Sequence, residues 1–493
     1  MTTEPIVGTS AGTVRGFWRD GSAAFLGIPY AEPPVGDLRF GEPVPHRHWD
    51  GVRDATEFGP TPQRKAMAEV TLIPEPSVPG EATLNLNVFT PRPGDTRAGL
   101  PVLVYIHGGG FVAGSPASPW YDGAAFNRDG VVTVTPSYRL GFDGFGWIRD
   151  APLNRGVLDW VLALEWVRDN IAQFGGDPGH VTIAGQSAGG GAVLTLLAVP
   201  RAASLFHQAI SISGTTANVA LADAERLGRA LARAAGVDPT RAGLAKLTQE
   251  RVLELQNAIG SIEPTDPLST LKTMSSGRPL PWAPVIDGRL VPTSILAAVE
   301  RGLGSDTPLM LGATDNEFNM ALTGQRDALE SVDPRSALAA LGLPSSVVGD
   351  YVAAHADSDP ADVLGQFITD TMFRGPARAI AELRTASPAP TWLYRFAWTS
   401  PTFQSAVHCL DVPFFFDCLA ADRISYIAGE RPPQALAVDV HSAAVRFIRD
   451  GDPGWLPYAA PGRSVRVYDL PSTDVADGFA DVAILGDPVA AVD

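Results

Sequence analysis

The chain is predicted to fold as an α/β protein built on a large, mostly parallel, twisted sheet flanked by helices. Three observations predict it. Residues 101–106 (PVLVYI) form the continuous apolar run expected of a strand buried on both faces. Residues 130–174 pass from a β-rich run (130–136) into a segment with helical periodicity (154–174). Residues 181–184 (VTIA) then lead through a Gly-rich turn into an Ala/Leu/Val-rich helix ending near Pro200.

Taken in order, residues 7–18 read as strands broken at Ala11-Gly12, and 22–28 as a strand that ends in a Pro/Gly-rich stretch (29–36). These predict an edge hairpin and a surface loop. Residues 82–90 alternate as a half-buried strand through Leu84-Asn85-Leu86-Asn87-Val88. In 154–174, Leu158, Val161, Leu162, Leu164 and Val167 place the apolar residues largely on one side of a helix. A strand is expected at 208–213, then helical sequence over about 215–281, then strands at 308–312 and 392–398 separated by further helix-like sequence. An amphipathic helix over 434–449 stops at Gly451-Asp452-Pro453-Gly454, and 464–468 reads as a closing strand. The expected organisation is one domain, 1–493, with helical insertions at about 215–281 and 319–390 lying over the site.

Composition narrows the function classes. With 37 Lys and Arg against 54 Asp and Glu, the net charge of −17 repels phosphate backbones and anionic membrane surfaces, so nucleic acid is not an expected partner. Cys409 and Cys418 are too few for a disulfide scaffold and lack the second pair of a zinc site. The N-terminus has no basic segment followed by an apolar one, and there is no run of about 18 apolar residues. A soluble, cytoplasmic chain without membrane insertion is therefore expected. With no H-E-x-x-H, P-loop or dinucleotide motif, no metal or organic cofactor is expected either.

The chemistry is carried by Gly185-Gln186-Ser187-Ala188-Gly189, which fits the G-x-S-x-G nucleophile elbow of the α/β-hydrolase fold. A chain that turns sharply from strand to helix needs small residues on both sides of the serine, and here a strand precedes and a helix follows. A serine hydroxyl needs a base, and acyl transfer needs donors for the developing oxyanion. His107-Gly108-Gly109-Gly110-Phe111 directly follows the central strand, so the N–H groups of Gly109, Gly110 and Ala188 are the expected oxyanion donors. His107 is read as supporting that loop. In this fold the acid and histidine follow the serine in that order. His355 lies in a polar, helix-ending stretch and His441 within the amphipathic helix, which leaves His408, in a loop after the 392–398 strand, as the expected base. Asp315 and Glu317 both follow the 308–312 strand. Spacing does not choose between them, although Asp315 has the character of a turn residue.

These pieces resemble the type-B carboxylesterases, the family that includes the cholinesterases and bacterial p-nitrobenzyl esterases. The resemblance is colinear over about residues 7–468. It rests on Gly27-Ile28-Pro29-Tyr30-Ala31, Pro33-Pro34-Val35-Gly36, Leu38-Arg39-Phe40, the HGGGF loop, Tyr138-Arg139-Leu140-Gly141, Phe174-Gly175-Gly176-Asp177-Pro178 and VTIAGQSAGG at 181–190. It implies a serine esterase with Ser187, Glu317 and His408 at the triad positions and Gly109, Gly110 and Ala188 at the oxyanion positions. It also implies an acyl-pocket border near 281–288, making Trp282, Phe318 and Met320 pocket candidates, each with core packing as the alternative.

Three departures stand out. Gln186 replaces the Glu often found before the nucleophile, which argues against cationic substrates. Glu81-Ala82-Thr83-Leu84 lacks the Cys of the usual Glu-Asp-Cys-Leu, so no disulfide forms there. Phe318 stands where Gly commonly follows the acid, and its ring either narrows the pocket or packs beneath it. The expected partner is an uncharged small-molecule ester. A carbamate or aryl-amide hydrolase would use the same apparatus, and a binding or adhesion module would keep the fold without the chemistry.

Overall fold

The computed structural model describes residues 4–62, 64, 71–260, 266–275 and 280–486. Among them, eleven strands form the main sheet. In chain order they are β1 (Phe17–Arg19), β2 (Ser22–Pro29), β3 (Asn85–Thr90), β4 (Leu100–Ile106), β5 (Val132–Pro136), β6 (Gly176–Gln186), β7 (Gln208–Ile212), β8 (Leu309–Thr314), β9 (Thr391–Phe396), β10 (Ser464–Tyr468) and β11 (Thr473–Ala476). Their order across the sheet is β1-β2-β3-β5-β4-β6-β7-β8-β9-β10-β11. From β5 to β10 every pair is parallel, and the two edges are antiparallel. The apolar run at 101–106 is thus a central strand with both faces covered. Val102, Val104 and Ile106 face the helices α1 (Arg155–Asn170) and α2 (Ala188–Leu197), while Leu103 and Tyr105 face α3 (Gln434–Asp450).

The sequence reading needs correcting where tertiary burial overrides local pattern. The alternation at 82–90 is not apolar-in, polar-out: all six residues of β3 are buried. Its asparagines find partners inside, Asn85 Nδ2 donating to Pro60 O (2.8 Å) and Asn87 Nδ2 to Thr135 Oγ1 (2.9 Å). The 29–36 stretch is not wholly a surface loop, since Tyr30 and Ala31 are buried and Tyr30 Oη donates to Ser137 O at 2.7 Å. Helix α1 is buried on nearly every side, leaving only Arg168 and Asp169 exposed. Strand β10 does not close the sheet: β11, a short polar strand with no clear alternation, adds beyond it.

Helices Leu221–Ala235, Gln249–Gly260 and Pro267–Ser275 lie between β7 and β8. Parts of that expected insertion, 261–265 and 276–279, lie outside the described residues. Between β8 and β9, helices Pro334–Ala339, Ser345–Ala354, Pro360–Thr369 and Gly375–Leu383 follow in turn, with a π-helical turn at Asp370–Arg374. The two segments share one apolar cluster, in which Leu271 packs with Leu322, Leu338, Tyr351 and Phe367.

A buried ion pair fixes the segment after β5. Arg139 meets Asp159 of α1 through Nε (2.9 Å) and Nη2 (2.7 Å), and its Nη1 donates to Gly41 O (2.7 Å). Both side chains are almost wholly buried. Asp159→Ala would strand the guanidinium without its counter-charge, which costs about 3–5 kcal/mol. The expected result is a lower midpoint in urea or thermal denaturation, against a change within about 0.5 kcal/mol for an exposed control such as Asp169→Ala.

Candidate active site

Strand β6 and helix α2 meet at Ser187, whose backbone adopts φ 59° and ψ −120°. A non-glycine residue keeps such a conformation only when its surroundings hold it. They do here: Ser187 N donates to Ile212 O (2.9 Å), and Ser187 O accepts from Gly191 N (2.9 Å) and Thr215 N (3.2 Å). The flanking glycines have a direct steric reason. A Cβ on Gly185 would lie 2.4 Å from Gly189 C, and one on Gly189 would lie 2.0 Å from Ile106 O. The first bond within α2 runs from Gly191 to Ser187 O, so the Ala188 N–H stands at the open N-terminal end of the helix.

The glycine loop after β4 lies against this junction. A Cβ on Gly108 would be 3.2 Å from Ser187 Cβ. Gly109 has φ 111° and Gly110 φ 60°, in the region that favours glycine, and the turn is tied by Ala113 N donating to Gly109 O at 2.8 Å. His107 is buried and stacked on Tyr138 at 4.5 Å, with Nδ1 2.8 Å from Gly108 O. Burial brings its pKa down to about 4, so it is neutral at physiological pH and props the loop.

His408 lies in the loop after β9. Its Nδ1 is 2.5 Å from Glu317 Oε2, and its main-chain N donates to Glu317 O at 3.0 Å. Glu317 is fully buried, and its Oε1 accepts from Thr314 N at 2.8 Å. Asp315 does not meet the histidine; Arg395 grips it with both Nε (2.9 Å) and Nη2 (2.8 Å). Burial alone pushes the His408 imidazole down, but the Cys409 sulfur and the Glu317 carboxylate outweigh it and hold it well above the usual histidine range. On its other nitrogen, Nε2 lies 3.1 Å from the Gln186 side-chain Nε2. In the neutral form of the ring that donates Nδ1–H to Glu317, Nε2 is the acceptor, and the Gln186 amide donates to it.

A family model described as "Carboxylesterase family" matches residues 3–462. The chain belongs to that family. The chain is similar to the para-nitrobenzyl esterase of Bacillus subtilis, at 33% identity with 95% of each chain covered. It is similar also to the phenmedipham hydrolase of Pseudarthrobacter oxydans, at 34% identity with 97% of this chain and 98% of the other covered. A solved carboxylesterase from Geobacillus stearothermophilus superimposes with a TM-score of 0.84 at 30% identity, covering 98% of this chain and all of the other. This carboxylesterase is therefore a carboxylic-ester hydrolase on the α/β-hydrolase fold. Among the described residues, no helix is long and apolar enough to cross a membrane.

The three pocket candidates fall in different surroundings. Trp282 is 3% exposed and packs edge-on against Phe142 at 5.6 Å, in a cluster with Phe40, Leu231 and Leu255, which is core packing. Phe318 is half-buried with its ring 4.9 Å from the His408 imidazole, and Met320 is half-buried at the margin of the cluster containing Val407 and Leu410.

Sequence reasoning passed over two neighbours of His408 in this carboxylesterase. Phe373 sits 5.1 Å from the imidazole. Asp411 is 2% exposed, its Oδ2 accepting from Tyr394 Oη at 3.1 Å and its Oδ1 without a hydrogen-bond partner among the described residues. Burial, with the nearby Glu317 charge, raises the Asp411 carboxyl to about 7. Its folded pKa exceeds the unfolded one, so the folded state holds an extra proton between about pH 4 and 7, and stability falls as pH rises through that window. The loss amounts to about 4 kcal/mol. Asp411→Asn lacks this titration, so its denaturation midpoint is expected to gain on wild type between pH 5 and pH 8.

Proposed function

We propose that this carboxylesterase cleaves uncharged, apolar esters by two-step acyl transfer, with Ser187 as nucleophile, His408 as base and Glu317 orienting the imidazole. The carrying observation is the 2.5 Å contact between Glu317 Oε2 and His408 Nδ1, which leaves the lone pair on Nε2 beside the strand-to-helix turn that bears Ser187. Ser187 Oγ passes its proton to Nε2 as it attacks the ester carbonyl, and the N–H groups of Gly109, Gly110 and Ala188 hold the resulting oxyanion. His408 then gives the proton to the leaving alcohol, and water resolves the acyl-enzyme by the same route. Gln186 and Ser187 share access to Nε2, so the amide yields as the hydroxyl engages.

Gln186 in place of a carboxylate, with the half-buried Phe318 and Met320, supports uncharged apolar substrates. In this reading residues 1–493 act as one α/β-hydrolase domain, with the insertions at about 215–281 and 319–390 walling the site. The free thiols of Cys409 and Cys418 support a reducing, cytoplasmic setting.

The test is pre-steady-state turnover of p-nitrophenyl esters from short to long acyl chains, beside an aryl carbamate and an anilide. A burst of one nitrophenol per enzyme, with the acyl mass on the peptide carrying Ser187, is expected. Folded enzyme that cleaves no ester, or an acyl adduct on another residue, would overturn the proposal.

A further inference from the structure

His408 is held by more than its two polar partners. Phe318 and Phe373 stack on each other with ring centroids 5.4 Å apart and 6° between planes. The imidazole leans on both, 4.9 Å from Phe318 at 48° and 5.1 Å from Phe373 at 43°. The three rings form a closed triangle.

Each phenyl ring is anchored independently of the histidine. Phe318 N donates to Thr369 Oγ1 at 3.0 Å, and that hydroxyl donates to Asn319 Oδ1 at 2.7 Å. Phe373 projects from the π-helical turn, whose ends are joined by Arg374 Nη1 and Asp370 Oδ1 at 2.6 Å, with Arg374 Nη2 on Asp481 at 2.6 Å. A π turn inserts one residue into helical register and so re-aims the side chains it carries, and such turns recur at functional sites.

Resting on the assignment of His408 as the base, we propose that Phe318 and Phe373 are positioning residues, an aromatic clamp that fixes the imidazole plane and favours its charged form as it takes the serine proton. Both half-reactions pass through an imidazolium. A cation lying over the face of an aromatic ring, within about 6 Å of its centroid, is stabilised by the ring quadrupole, and more so where water is excluded. The neutral imidazole gains much less from the same rings, so the clamp acts mainly on the transition state. The other groups facing His408 are the Glu317 carboxylate at Nδ1, the neutral Gln186 amide at Nε2, the adjoining Cys409 sulfur and the Asp411 carboxyl, itself bonded to Tyr394. None of these is altered by changing a phenyl ring.

The experiment compares Phe318→Leu, which keeps apolar bulk and loses the ring, with Phe318→Tyr, which keeps the ring. The readouts are kcat, KM and the pH profile of kcat/KM for a short-chain p-nitrophenyl ester, with active sites titrated by an organophosphate. Removing a ring that favours the charged form makes the base weaker, so the acid limb moves to lower pH. For Phe318→Leu the expected result is a limb lower by about half to one pH unit and kcat lower by about 3- to 30-fold, with KM within twofold. Phe318→Tyr leaves the limb in place. Asp411 titrates in the same region and is itself unchanged in every protein compared.

A limb unmoved in Phe318→Leu, with changes confined to KM or acyl-chain preference, would overturn the clamp and leave Phe318 as a pocket wall. Phe373→Leu, read the same way, decides the matter if Phe318→Leu does not fold. The two proposals fail differently: turnover surviving Ser187→Ala would remove the serine mechanism, whereas an unmoved limb beside an inactive Ser187→Ala removes only the clamp.

Discussion

Ser187→Ala and His408→Ala are each expected to lower kcat by about 10⁴- to 10⁶-fold, and the double variant by no more than either alone. In the proposed mechanism the hydroxyl and the imidazole act as a unit. Without the base the hydroxyl keeps its proton, and without the hydroxyl the base has no nucleophile to activate. What survives is the contribution of the oxyanion donors and of binding. The structure makes Ser187→Ala a clean change, because the turn is held by backbone bonds of Ser187 to Ile212, Gly191 and Thr215, none of which uses Oγ. Unfolding midpoints should therefore match wild type, and the titre of organophosphate-reactive sites should fall to zero. Additive losses in the double variant would mean that the two side chains do not share one step.

How much of this was legible in the sequence depends on how local each signal is. Strands β4 and β6, the glycine loop and the nucleophile turn are written in contiguous residues, because burial on both sheet faces demands apolar runs and close backbone approach demands glycine. The choice between Asp315 and Glu317 is not local. Arg395, eighty positions away, grips Asp315, and it is Glu317 that faces His408. Phe373 and Asp411 gave no warning for the same reason: one is a phenylalanine in a helical run, the other an acidic residue after the histidine. Their meaning comes from the fold's return to the same point in space. Strand β11 is not legible, because an exposed edge strand of four residues carries no burial pattern to read.

Glu317→Gln is expected to lower kcat by about 10⁴-fold, with KM and folding nearly unchanged. The two oxygens of Glu317 have different partners. Oε1 accepts from the Thr314 main-chain N–H at 2.8 Å, and Oε2 accepts from His408 Nδ1–H at 2.5 Å. Thr314 N–H is buried and needs an acceptor, so a glutamine would keep its carbonyl there and turn its NH₂ toward Nδ1. Two donors cannot face each other. The imidazole would have to accept at Nδ1 and carry its proton on Nε2, so the nitrogen meant to take the serine proton would already be protonated. The Gln186 amide would follow by rotating its Oε1 toward Nε2–H, which further holds the ring in the wrong tautomer. The shape of the site is conserved, and only the proton is misplaced. Glu317→Asp, which retains a carboxylate at one methylene's greater distance, should lose far less. Proton NMR gives an independent reading: the low-field resonance of the Nδ1–H bonded to Glu317 should be present in wild type and absent in Glu317→Gln. A loss of less than tenfold, with that resonance retained, would mean that Glu317 does not set the tautomer of His408.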